Sequence, residues 1–219
     1  MYPYIHDNVR RILKEIPPEV SIVAAAKTRT HDEIMAAVEA GIQRIGENYI
    51  QEAATAYDAI GGCVKWHFIG HLQLNKVKKA VEIFDLIETV DSLELAEVID
   101  RQAAVSNKIM PVLIEVNIGR ETQKNGVMPE ALSELAEAID TLPNLQLRGL
   151  MTMGPYVPAE QLRPYFAETR RLFDQMQQAK LVRTDIRYLS MGMSDSYRVA
   201  IEEGANLVRL GTAIFGPRR

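Results

Sequence analysis

The 219-residue sequence holds one cysteine, Cys63, one tryptophan, Trp66, and only four histidines. A lone thiol cannot build a disulfide framework, and no cysteine cluster exists to hold a structural metal. Long apolar runs are missing too: none approaches the roughly 20 residues of a membrane-spanning helix. No signal-peptide pattern opens the chain, where Tyr2-Pro3-Tyr4 is soon followed by His6-Asp7. An excess of positive charge is also absent. With 25 basic against 29 acidic residues the formal net charge is −4, which argues against a general nucleic-acid binder. Two local basic clusters, Asn75-Lys76-Val77-Lys78-Lys79 and Pro217-Arg218-Arg219, read as solvated faces. The expectation is a cytoplasmic protein that engages neither membrane nor nucleic acid.

Short apolar, β-branched runs begin at Ser21, Gln43, Lys65, Leu86, Met110, Leu145, Ile186 and Asn206, most of them 20–24 residues apart. That spacing is close to the least a strand-helix-strand unit needs. Helical patterns fill the gaps, as in HDEIMAAVEA, SLELAEVIDRQAA, PEALSELAEAID and PAEQLRPYFAETRRLFDQMQQA. Thr30 with Glu33 forms a capping signal, Asp91 or Ser92 starts the next helix, and Pro129 sits in a first turn. Eight strands alternating with helices predict an α/β protein, a closed (β/α)₈ TIM-type barrel forming a single domain over residues 1–219. An open doubly wound sheet is the alternative, but no G-x-G-x-x-G follows any strand. A further helix around Arg10–Ile16 precedes the first strand and is stopped by Pro17-Pro18. After the last strand Gly211–Arg219 is too short for a full eighth helix. The N-terminal helix is therefore expected to cover the wall left bare there.

Barrel chemistry sits at the C-terminal ends of the strands. That rim carries Lys27, Gly46-Glu47-Asn48, Gly70-His71, Asn117, Met151-Thr152, Ser190 to Ser194, and Arg209 with Gly211-Thr212. The loops after strands 7 and 8 often bind phosphate, and SMGMSDS and GTA have that character. Alternatively, Ser194 and Asp195 only cap the following helix. Arg209 stands among apolar neighbours; facing outward it would be a costly unpaired charge, so it is expected to face inward and to need a partner. A partly desolvated amine such as Lys27 is a nucleophile toward an aldehyde or ketone. Amine, phosphate cradle and arginine together point to a phosphorylated carbonyl compound. Two ligands fit: a sugar phosphate in a class I aldolase, or pyridoxal 5′-phosphate (PLP).

Seven blocks, in order, carry a resemblance over nearly the whole chain: AAAKTR, IGENYIQE, WHFIGHLQLNK, VLIEVNI, LRGLM, LSMGMSDS and VRLGTAIFG. The sequence resembles the YggS/PROSC family of pyridoxal phosphate homeostasis proteins. The resemblance implies an alanine-racemase-type barrel (fold type III) without the second β domain, with PLP held covalently as a Schiff base on Nζ of Lys27. It further implies that Arg209 faces the pyridine nitrogen and that Ser194, Gly211 and Thr212 hold the phosphate, with Ser190 nearby. Asn48 and Met151 become contacts to the ring and its 3-hydroxyl side. The implied function is holding and exchanging PLP in vitamin B6 and amino-acid homeostasis, without catalytic residues or metal, with PLP-requiring apo-enzymes as candidate partners. A racemase-like enzyme is the alternative. His67 is expected to be a satisfied interior group and His71 a rim residue; Tyr49 and Tyr197 either line the mouth or pack on helices. Because nothing remains to form a second domain, a monomer is expected.

Overall fold

A computed structural model of the protein describes residues 2–179 and 181–217. Arg218-Arg219 of the terminal basic cluster lie outside the described residues. Eight strands run in one direction: β1 (Ser21–Ala25), β2 (Arg44–Glu47), β3 (Lys65–Phe68), β4 (Leu86–Val90), β5 (Met110–Val116), β6 (Leu145–Thr152), β7 (Thr184–Met193) and β8 (Leu207–Leu210). Each pairs with the next, and β8 pairs with β1, so the barrel closes. The helices are α1 (Pro3–Glu15), α2 (His31–Glu39), α3 (Ile50–Ile60), α4 (Val77–Ile83), α5 (Leu93–Val105), α6 (Leu132–Asp140), α7 (Arg163–Gln178), α8 (Tyr197–Glu202) and α9 (Thr212–Phe215). No helix among the described residues is long and apolar enough to cross a membrane.

Local chemistry fixes the boundaries. Thr30 and Glu33 form a reciprocal capping box that starts α2. Ser92, rather than Asp91, caps α5, its Oγ accepting from the Leu95 N–H at 3.4 Å. Period-two alternation then sorts the strand residues. Ile45, Trp66, Phe68, Ile114 and Val208 face outward and pack beneath the helices, while Val23, Ile69, Leu86, Leu113, Met151 and Leu207 form a separate cluster inside the barrel. Each fully buried aromatic of the outer layer contributes about 1.5–3 kcal/mol.

The first helix begins at Pro3, well before the expected Arg10, because proline in the first turn gives up an N–H that no helix could use. It buries Ile5, Val9 and Ile12 and packs against α2 and α9. Asn8 Nδ2 donates to Ile214 O at 3.0 Å, and the Tyr197 hydroxyl donates to Glu15 Oε1 at 2.7 Å. Arg198 Nε also reaches Glu15. The helix thus packs beside α2 and α9, the helices that follow β1 and β8, and these contacts make Tyr197 a helix-packing residue.

Candidate functional site

Val23 and Ala25 of β1 face the barrel interior, and Lys27 continues that alternation beyond the strand end. It is half-buried, with Nζ 5.5 Å from the centroid of the Tyr49 ring. Thr28 adopts a left-handed φ of 64°, and its N–H donates to Glu52 Oε2 at 2.9 Å, which stops the strand and fixes the turn carrying the lysine. Arg29 Nη2 then donates to Gly216 O at 2.6 Å, tying this loop to the end of α9.

A cavity of about 330 Å³ opens at that point, and Lys27, Asn48, Ser194, Arg209, Gly211 and Thr212 line it. Gly192, with φ of 92°, lets the chain leave β7 at an angle that a Cβ, 2.6 Å from that of Ala200, would block. The turn aims Ser194 across the barrel mouth. Its Oγ accepts from the N–H groups of Gly211 and Ala213, both at 3.1 Å. Ser194 therefore does not cap α8; it joins the loops after β7 and β8. Oxygen of a hydroxyl already occupies a place where two amide protons converge, and the hydroxyl proton stays free to donate.

Arg209 reaches the cavity from below. Nη1 donates to Ser190 Oγ at 2.6 Å and Nη2 to Thr152 O at 2.7 Å. Ser190 Oγ in turn donates to Glu88 Oε2 at 2.6 Å, and Glu88 Oε1 lies 2.6 Å from His67 Nδ1. The partner that an inward arginine requires is thus Glu88, 3.9 Å away and bridged by Ser190. Burial alone would raise the Glu88 carboxyl, but His67, Arg209 and the Ser190 hydroxyl outweigh it and hold it below the usual carboxylate range. Burial pushes the Arg209 guanidinium down, opposed by Glu88 and Glu115, yet an arginine keeps its charge. Glu115 is itself pushed up to about 7 by burial and by Asp91.

Two residues expected in the site do not line the cavity. Met151 belongs to the apolar cluster inside the barrel, and Ser190 is fully buried as the link between Glu88 and Arg209. Shifts in strand register on both sides of β7 set those depths. Met153 and Met193 line the cavity instead. His67 is a hydrogen-bonded interior residue. Asn117 organises the loop after β5, its Nδ2 donating to Glu121 O at 2.8 Å and its Oδ1 accepting from the Glu121 N–H at 3.1 Å. His71 stands in a second, neighbouring cavity. Glu88 and Glu115 carry no role in the sequence reading, although the argument that turned Arg209 inward applies equally to them.

Residues 3–219 match the family described as alanine racemase, N-terminal domain. A pyridoxal phosphate homeostasis protein of Aquifex aeolicus is 44% identical over 200 residues, which span 90% of this chain and 87% of that one. The chain belongs to the pyridoxal phosphate homeostasis protein family. A structural relative is PipY of Synechococcus elongatus, solved with PLP bound, at a TM-score of 0.89 and 32% identity over 97% of this chain and 100% of that one. An alanine racemase of Clostridium difficile shares the barrel, with a TM-score of 0.82, but at 15% identity. It covers 99% of this chain and 56% of its own, a likeness of fold alone.

Proposed function

We propose that this protein binds PLP in the cavity between Lys27 and the last two strand-helix loops, and that it holds and exchanges the cofactor without turning over a substrate. The observation that carries the proposal is the shared cavity. An amine stands on one wall, the Ser194 and Thr212 hydroxyls beside Gly211 on another, and a guanidinium at the floor. The family name and the PLP bound in PipY favour this cofactor over a sugar phosphate.

In this reading the Ser194 and Thr212 hydroxyls hold the phosphate, with the Gly211 backbone beside them; the Gly211 and Ala213 N–H groups fix the Ser194 oxygen so that its proton points outward. Each charge-assisted bond is worth about 1.5–3 kcal/mol, enough in sum to retain the ligand without a covalent link. Lys27 Nζ is the site of covalent attachment, and Asn48 borders the ring. PLP supplies an aldehyde carbon able to take up amines. Arg209, kept cationic above Glu88, can donate a hydrogen bond to a ring nitrogen but does not transfer its proton to it; the ring would stay a weak electron sink, so carbanion chemistry is disfavoured and amine exchange is not. The proposal extends to a cytoplasmic monomer that serves PLP-requiring apo-enzymes.

Purified protein incubated with PLP is expected to show a visible absorption band that borohydride shifts, and Lys27→Ala is expected to lose it. A band unchanged in Lys27→Ala would overturn the covalent assignment. Lys27-dependent exchange of the α-hydrogen of alanine for deuterium, at a robust rate, would favour the racemase reading over the carrier.

A further inference from the structure

Four lysines among the described residues are half-buried: Lys27, Lys76, Lys108 and Lys124. Two of them are satisfied, Lys108 by the carbonyls of Val81 and Phe84 and Lys124 by Glu121 and the Gly154 carbonyl. Lys27 and Lys76 have neither a hydrogen bond nor an ion pair among the described residues. Half-burying an ammonium without a counter-charge is unfavourable, so such a group marks a place where an anion or an electrophile fits. Lys27 stands in the cavity already described. Lys76 lines the second cavity, of about 340 Å³, with His71, Gln73, Asn48 and Tyr49.

The two cavities are neighbours by construction. Asn48 lines both, and Tyr49 presents its ring to Lys27 Nζ while lining the second. Gly70 makes this possible, because a Cβ there would lie 2.2 Å from Asn48 O. Only glycine lets the loops after β2 and β3 come so close. Thr89 Oγ1 holds that glycine by donating to its carbonyl at 2.7 Å.

We infer that the second cavity takes the carboxylate of an amino acid through Lys76 and Gln73, presenting the amine toward the Lys27 cavity. This rests on the PLP reading above, since an amine is what a bound aldehyde would exchange. One cation beside neutral amides matches a single negative charge, whereas the Ser194 cluster already serves a phosphate. The binding is non-covalent and needs no other reactant.

The test follows the side-chain amide resonances of Gln73 and Asn48 in ¹⁵N-labelled, PLP-loaded protein. L-Alanine, alaninamide and inorganic phosphate are titrated separately. L-Alanine is expected to shift both resonances, with affinity about tenfold weaker in Lys76→Met. Alaninamide, lacking the carboxylate, is expected to bind equally in parent and variant. Gln73→Leu, read on the Asn48 resonance alone, repeats the test with a second variant. Equal alanine affinity in parent and Lys76→Met, or a Lys76-dependent response to phosphate and none to alanine, overturns the inference. Parent protein that never develops the PLP band sinks the proposed function instead, so the two failures are distinguishable.

Discussion

The barrel interior and the barrel rim are both polar, but they treat their polar groups in opposite ways. Inside, His67, Glu88, Ser190, Arg209 and the Thr152 carbonyl form a continuous chain of bonds in which the charges answer one another. At the rim, Lys27 and Lys76 have no such bonds among the described residues, and the Ser194 hydroxyl keeps its proton to offer. Satisfied buried polar groups rigidify a structure, and uncommitted ones wait for something outside it. The interior chain holds Arg209 still so that the groups above it can bind.

The largest loss of stability should come from breaking the interior. Glu88→Ala leaves Arg209 and His67 buried without their carboxylate and is expected to cost about 3–5 kcal/mol in urea unfolding. A cost below about 1 kcal/mol would mean that the chain of bonds carries little of the structure. A second effect sharpens the contrast, because the buried Glu47 carboxyl has no counter-charge such as Arg209 gives Glu88. Glu47 Oε2 has no hydrogen-bond partner among the described residues, and burial, then Glu52, pushes the carboxyl up to about 8. A folded value above the unfolded 4.5 means stability present at low pH and lost as pH rises from about 4.5 through 8. Glu47→Gln should therefore unfold like the parent at pH 4 and be about 5 kcal/mol more stable relative to it at pH 9. Identical pH profiles would remove Glu47 from that account. The smallest change in stability belongs to the rim. Ser194→Ala and Thr212→Ala should stay within about 1 kcal/mol of the parent while retaining PLP about tenfold less tightly. If retention in dialysis is unchanged, the phosphate is held elsewhere.

How much of this was legible in the sequence follows from what each signal measures. Apolar runs and capping residues report local structure, so β1, β3, β4, β5 and β6 begin where their first residues announce them, and β7 starts only two residues before the expected Ile186. The rim residues Lys27, Asn48, Ser194, Arg209, Gly211 and Thr212 follow from knowing where strands end. Depth is different. Met151 and Ser190 occupy the right strands, but bulges beside β7 set how far down the barrel they sit, and a bulge leaves no trace in an apolar run. Glu88 was readable. Placed between Ile87 and Thr89 in a strand with both faces covered, it could only be paired or costly, as Arg209 was.

The helix packed beside α2 and α9 has a kinetic consequence. Asn8 and Ile214 are separated by nearly the whole chain, and β1 finds its second neighbour only in β8. Such distant partners meet late, after the entropy of a very long loop has been lost. Lys27 and the Ser194–Gly211 cluster belong to opposite sides of that same join. Folding intermediates lacking it would carry the lysine with nothing facing it, so the ability to capture a ligand should appear in one step, as the ring shuts.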